Sequence, residues 1–287
     1  MSAAPVHVRS VLCRKHVSDA LQYAFVLLVC LFALAPIVWA LLTSVKAPQE
    51  IALFPPTIFP HAFTTENYWI GVLNPKFLRY LLNTTLVVGL SLIICLAASS
   101  HAAHALVRFR FRGANTMLML MFSTIMMPGV AVIVPLYLLS VYTGLYDTLW
   151  VLVLAYSAWL TPTLVWLLRG FVANIPNELE ESALIDGCSR WGAFARITLP
   201  LMRPGLMAGS VLVFANIWNE FVLGYSLVLS DEVRLVQVGI YANVSEVGPR
   251  WGPLMAAAIG ASIPVLIAYA FMQRSFIQGL TAGAVKG

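Results

Sequence analysis

Charge is what this chain has least of: only 10% of its 287 residues are Asp, Glu, Lys or Arg, while 60% are hydrophobic. An ordinary soluble domain carries roughly 25% charged residues, so that class is excluded. Cysteine is scarce too. Cys13, Cys30, Cys95 and Cys188 form no CxxC pair and are scattered over apolar and loop segments, which argues against a disulfide framework or a zinc site and makes them packing residues. No GxxxxGK[ST] string is present, so the chain is not expected to hold ATP through a P-loop. HExxH is missing as well, and no nucleophile and base constellation stands out, so the expectation is a protein that is not an enzyme and holds no metal. His101 and His104 lie three apart without an acid or thiol beside them, which reads as interfacial or helix-packing histidine, not a ligand pair.

What the chain has in abundance is long apolar runs, and its mean hydropathy is +0.86. A helix needs about 20 mostly apolar residues to cross roughly 30 Å of hydrocarbon. Six runs come close to that: 20–42, 80–106, 117–139, 149–168, 206–229 and 253–271. They are continuously apolar, not alternating with the strand period of a transmembrane barrel. The predicted fold is therefore all-α: a polytopic membrane bundle of six transmembrane helices forming a single domain over 1–287. The first run follows Arg9, Arg14 and Lys15 but exceeds the 7–15 apolar residues of a cleavable signal and lacks a good cleavage site, so it reads as a retained anchor.

The basic residues orient the bundle. With an inner N-terminus and six reversals, twelve of the seventeen Lys and Arg fall in inner segments and five in outer ones. The positive-inside rule then puts both termini, and the loop 174–203, in the cytoplasm. The string Arg108-Phe-Arg-Phe-Arg112 ends a span and reads as an interfacial anchor with snorkelling arginines, so no nucleic-acid partner is needed to explain the net charge of +5. The outer segments 46–79 and 230–251 are long enough to fold locally and meet a soluble partner.

The loop 174–203 is the polar exception. Pro176 discourages continuation of the fourth span, Asn177 is placed to cap a new helix with Glu180 three residues on, and Glu178, Glu180 and Glu181 suit the positive end of its dipole. Gly187 supplies the left-handed residue that commonly stops a helix. Ser189 is placed to cap a second one, with Trp191, Phe194 and Ile197 on one face, before Pro200 and Pro204 interrupt the backbone. A partner-free surface or re-entrant loop is the plainer alternative.

Glu181-Ser-Ala183, Asp186-Gly187 and then Ile197, Leu199 and Pro200 resemble the Glu-Ala-Ala loop of binding-protein-dependent ABC importer permeases, with Ser182 where the family usually has alanine. Trp218-Asn-Glu-Phe221 and the ending Gly279–Gly287 are similar to the carbohydrate type, related to the maltose permeases. The resemblance implies that the loop is a coupling helix seated in a cytoplasmic ATPase, with Glu178, Glu180, Glu181, Ser182, Ala183, Asp186, Gly187, Ile197, Leu199 and Pro200 as coupling residues, and that the tail reaches toward the ATPases. It further implies a second homologous permease subunit, two copies of the ATPase using ATP and Mg, an extracytoplasmic solute-binding protein, and a site in the inner membrane lipid.

In the fifth run Asn216, Trp218, Asn219 and Glu220 are unusually polar for membrane depth, and an ionisable group there should face protein or water. They are substrate-path candidates, with Trp218 suited to stacking on a sugar face and the two Asn to bonding hydroxyls. Glu220 reads equally well as an assembly contact to a neighbouring helix. Pro128 and Pro135, Pro162 and Pro264 each free a backbone carbonyl inside a run. The expected function is an importer permease for a carbohydrate, polyol or glycerol derivative working by alternating access. The alternative is an ion- or proton-coupled secondary carrier titrating Glu220.

Overall fold

The computed structural model describes the backbone of residues 6–109, 111–245 and 248–284, and side chains within 19–109, 111–244 and 248–271. Arg110 and the side chains of Cys13 and of the tail Gly279–Gly287 lie outside these. The helices in order are α1 (Val6–Ser44), α2 (Pro48–Ile51), α3 (Glu66–Gly71), α4 (Pro75–Arg108), α5 (Ala114–Ile125), α6 (Ile133–Tyr142), α7 (Leu149–Ala173), α8 (Asn177–Ile185), α9 (Arg190–Ala193), α10 (Leu199–Leu201), α11 (Arg203–Trp218), α12 (Val222–Leu227), α13 (Val236–Tyr241) and α14 (Trp251–Ala284). Among the described residues the strands are β1 (Val244–Ser245) and β2 (Gly248–Pro249), one antiparallel ribbon.

Four stretches are long and apolar enough to cross a membrane: Asp19–Ser44, Pro75–Arg108, Leu149–Ala173 and Trp251–Phe271. Two more are bent pairs. Ala114–Ile125 and Gly129–Tyr142 meet at 99°, and Arg190–Leu201 and Arg203–Trp218 meet at 71°. Counting each pair as one span gives six. Pro128 sits at the first break and Pro204 opens α11, where a missing N–H costs nothing. Pro162 and Pro264, by contrast, lie inside continuous helices. The fifth run, expected to continue to 229, instead stops at Trp218 and resumes at Val222.

The residues form two compact units, Met1–Val72 with Val244–Ile259, and Leu73–Asn243 with Gly260–Gly287. In the first, the segment after α1 is folded by polar contacts. The Asn67 amide donates to the Ser44 and Lys46 carbonyls at 3.0 and 2.9 Å. Glu50, itself buried, accepts from the Thr57 hydroxyl at 2.8 Å and the His61 N–H at 3.0 Å. The apolar side chains of Asp19–Ser44 stay exposed, as befits a helix whose solvent is lipid.

The second unit is built on α4 against α7. Ser91, Cys95, Ser99 and Ala103 recur every fourth residue along α4 and are all buried, a small-residue ridge that lets two backbones approach. Across that contact the Ser91 hydroxyl donates to the Val153 carbonyl at 3.3 Å and the Cys95 thiol lies 3.6 Å from the Ser157 carbonyl. Cys95 is thus the packing cysteine; Cys30 is exposed and Cys188 half-buried, contrary to the packing role expected of them. Val213, Ile217 and Trp218 of α11 close the core over Leu152, Tyr156 and Leu160 of α7.

The α4 start is capped by Asn74, which accepts from the Phe77 N–H at 2.8 Å with Pro75 next to it. Its first turns hold the segment 231–236: Asn83 donates to the Glu232 and Arg234 carbonyls at 2.9 and 3.0 Å, and Thr84 accepts from the Val236 N–H at 2.9 Å. The turn before α7 is held to the same region by Asp147, at φ 59°, whose carboxylate accepts from the Leu229 and Ser230 N–H groups at 2.8 and 2.9 Å.

Candidate functional site

The loop 174–203 folds as predicted in outline and departs in its details. Helix α8 does end on Gly187 in the left-handed region, φ +88°. The Gly187 N–H donates to the Leu184 carbonyl at 3.1 Å and the Cys188 N–H to the Ala183 carbonyl at 2.9 Å, the paired bonds of a Schellman stop. Ser189 caps α9 as expected, accepting from the Gly192 N–H at 3.1 Å. Asn177 does not cap α8: the helix begins at Asn177 itself, behind Pro176, with no side-chain cap. Its Oδ1 accepts instead from Arg108 Nη1, a charge-assisted bond that outcompetes a neutral cap.

Arg108, at the end of α4, is the anchor of the loop. Its Nε donates to Glu180 Oε1 at 2.8 Å and its Nη2 to the Ile175 carbonyl at 2.9 Å. Glu180 also accepts from the Thr198 hydroxyl at 2.6 Å and from His104 Nε2–H at 3.0 Å. The side chains of Arg108 and Glu180 are only 9% and 13% exposed, so this is a nearly buried ion pair with its lone pairs filled. Burial pushes the Glu180 carboxyl up, but the bonds from Thr198, Arg108 and His104 outweigh it and hold it below the ordinary carboxylate range. Around the pair, His101 stacks on Trp191 at 5.1 Å and packs on Phe194 at 4.8 Å, while His104 packs on Phe194 at 4.8 Å. His101 is thus a packing residue, whereas His104 both packs and holds Glu180.

Of the predicted common face, Trp191 and Phe194 do pack together, their rings 5.7 Å apart. Phe194 is buried, Ile197 half-buried and Trp191 exposed. Between Phe194 and Ile197 the spacing is altered by a π turn over Phe194–Thr198, in which the Leu199 N–H reaches back to the Phe194 carbonyl. Pro200 follows directly, and widening the turn relieves its clash with the carbonyl four residues earlier. On α8 the expected residues separate into two sets. Glu178, Glu181, Ser182 and Asp186 are exposed, beside an Ile185 that is 86% exposed; Ala183 and Glu180 turn inward. Gly187 is exposed, Leu199 half-buried and Pro200 exposed. Sequence reasoning named Arg108 and His104 only as an anchor and a packing residue and missed Thr198. The available signal was topological, since the end of the second span and the loop 174–203 fall on one side of the membrane.

The second place is the interruption after α11. Trp218, expected in the path, is buried in the core at 2% exposure and stacks on Phe214 at 5.3 Å, so it offers no free face. Asn216 and Asn219 are exposed, with their amides donating to Leu212 and Ala215 carbonyls at 2.8 Å. Glu220 accepts from the Tyr156 hydroxyl at 2.6 Å and from the Leu223 and Gly224 N–H groups at 2.9 and 3.3 Å. It caps α12 and is tied to α7, which is why the fifth run breaks here. It also lines a cavity of about 220 Å³ with Tyr156, Trp159, Asn216 and Gly129. Glu220 thus both bonds a neighbouring helix and lines this cavity.

Residues 91–281 match the family described as binding-protein-dependent transport system inner membrane component. The chain belongs to that family. Relatives agree over nearly the full length. The permease is 33% identical to DasC, a diacetylchitobiose uptake system permease protein of Streptomyces coelicolor, over 88% of this chain and 91% of the other. It is 31% identical to MalG, a trehalose/maltose transport system permease protein of Thermococcus litoralis, over 91% and 93%. Its fold matches a chain of a bacterial ABC transporter for the acidic polysaccharide alginate with a TM-score of 0.79 at 18% identity, covering 96% of this chain and 100% of that one. The permease is thus a multi-pass membrane subunit of an ABC importer, and family membership decides for the ATP-driven class over the ion-coupled carrier.

Proposed function

We propose that this permease passes a carbohydrate or related polyol from an extracytoplasmic binding protein to the cytoplasm, working as one transmembrane domain beside a second homologous permease and two ATPase copies. ATP and Mg belong to the ATPases, and this chain carries out no covalent chemistry. Both termini and α8 face the cytoplasm, where α8 seats in the ATPase; the tail Gly279–Gly287 reaches toward the same motors.

The observation that carries this reading is the construction of α8. It is stopped by a left-handed Gly187, clamped from beneath through Glu180 to Arg108 and Thr198, and it turns Glu178, Glu181, Ser182 and Ile185 outward. A lever must be rigidly joined to the span it moves and open on its other face. Arg108 ends α4 and Thr198 leads into α11, so force on α8 reaches two spans. Nucleotide-driven closure shifts the pore only because the ATPase binds α8 with different affinity in the two states. Carbohydrate as cargo is supported by relatives named for diacetylchitobiose and for trehalose/maltose.

Site-directed cross-linking tests the seat. In a background with the four cysteines replaced by serine, Ser182→Cys or Glu181→Cys should join to cysteines placed in the ATPase cleft, with a yield that changes on adding ATP. Adducts at neither position, or labelling of Asp186→Cys only from outside intact cells, would overturn the orientation and the coupling role together.

A further inference from the structure

We infer that the cavity between α7 and the two broken spans is a subsite for a single uncharged sugar ring, with Trp159 as its stacking surface, and that it disfavours acidic sugars. This rests on the carbohydrate reading above and narrows it. Two interruptions open onto the same space: Gly129 and Val130 in the turn after the 99° bend, and Glu220 in the gap between α11 and α12. Broken backbone at membrane depth is tolerated where it lines a cavity, which is where transporters of broken helices hold their cargo.

Trp159 lies near the middle of α7, is 36% exposed, and sits against Gly129 so closely that a Cβ there would come within 2.9 Å of its ring. The indole is therefore held edge-on by backbone while part of its surface stays open. It takes the stacking role that buried Trp218 has no free face for. At about 220 Å³ the space is below the roughly 300–1,000 Å³ of pockets for drug-sized ligands, so it suits one ring and not a chain.

The lining offers ring hydroxyls both acceptors and donors. Tyr156 spends its proton on Glu220 and Asn216 gives one amide N–H to the Leu212 carbonyl, while Asn216 keeps a second N–H and Trp159 carries an indole N–H. No Lys, Arg or His is among the described lining residues. Because three donors already answer the Glu220 carboxylate, no counter-ion is called for, and a sugar acid would bring a second negative charge beside it with no cation to offset it. Tyr156 is the positioning residue for Glu220.

Saturation-transfer NMR on the detergent-purified permease–ATPase assembly, without binding protein, tests this. Glucose and N-acetylglucosamine serve as neutral single-ring probes and glucuronate as the acidic one. At least one neutral probe should bind with a Kd about 10-fold or more below that of the acidic probe. Trp159→Ala should raise the neutral Kd about 10-fold, Trp159→Phe about 3-fold or less, and Glu220→Gln should shrink the neutral-to-acidic gap to about 3-fold, each in protein that co-purifies at wild-type stoichiometry. Equal binding of the acidic probe, or Trp159→Ala and Glu220→Gln that leave every Kd unchanged, overturns the subsite. Silence of all probes in a protein whose proteoliposomes, supplied with the binding protein, take up a neutral sugar also overturns it but spares the carbohydrate reading. Absence of any sugar uptake there removes both.

Discussion

Replacing Glu180 with alanine should release α8 from its bed without unfolding the bundle. The substitution removes a carboxylate that takes donors at 2.6, 2.8 and 3.0 Å and leaves Arg108, 9% exposed, with only Asn177 and the Ile175 carbonyl. Breaking a buried pair by deleting one partner costs about 3–5 kcal/mol. Water still reaches part of Glu180, 13% exposed, so about 3 kcal/mol is expected. At about 1.4 kcal/mol per decade that is an approximately 100-fold loss of protection, read by native-state hydrogen exchange on peptides covering 174–203. Thr198→Val removes one donor to the same carboxylate and should cost about 1.5 kcal/mol, roughly 10-fold. The pH dependence has a definite sign. The folded carboxyl titrates below its unfolded value, so the clamp's contribution is complete above the ordinary carboxylate range, near about 4.3, and is lost as pH falls through the lowered folded value. Unchanged protection in folded Glu180→Ala protein would refute the clamp, as would protection that survives acidification below the lowered folded value.

Gly187→Val should leave the chain inserted but cost roughly 1–2 kcal/mol locally, because a β-branched residue resists φ +88° even though nothing lies within 4 Å of the site; substrate-stimulated ATP hydrolysis should fall with uptake, and normal coupling would remove the glycine's role. Trp218→Ala should lower thermal stability in detergent by about 3–5 kcal/mol, the cost of emptying a core position, with similar losses for every sugar; a selective change in sugar preference would return Trp218 to the path. Asp147→Ala should destabilise by about 2–4 kcal/mol, summing two lost charge-assisted bonds with left-handed strain, whereas Asp147→Asn should cost less than half of that in the same melting assay.

Much of the molecule was legible in its residues. Continuous apolar runs announced helices, because a bilayer accepts little else, and Gly187 and Ser189 announced a stop and a cap, because those conformations are set within a few residues. The failures share a different origin. Asn177 was a sound local cap, yet Arg108 lies 69 positions away in the chain and claims its oxygen. Extending the face of Trp191 and Phe194 on to Ile197 assumed an ordinary helical period that the π turn before Pro200 breaks. Trp218 and Trp159 both sit on apolar helices and look interchangeable in sequence, but one is walled into the core and the other borders a cavity.

Composition and short-range stereochemistry therefore determined the solvent, the helices and the position of the helix, glycine turn and helix of 174–203, since hydrophobicity, capping and left-handed glycine act over a turn or two of chain. Tertiary structure alone decided which acid clamps, which is offered outward and which tryptophan faces open space. Burial and ion pairing depend on groups brought within about 3 Å from distant parts of the chain, and no local pattern encodes that meeting.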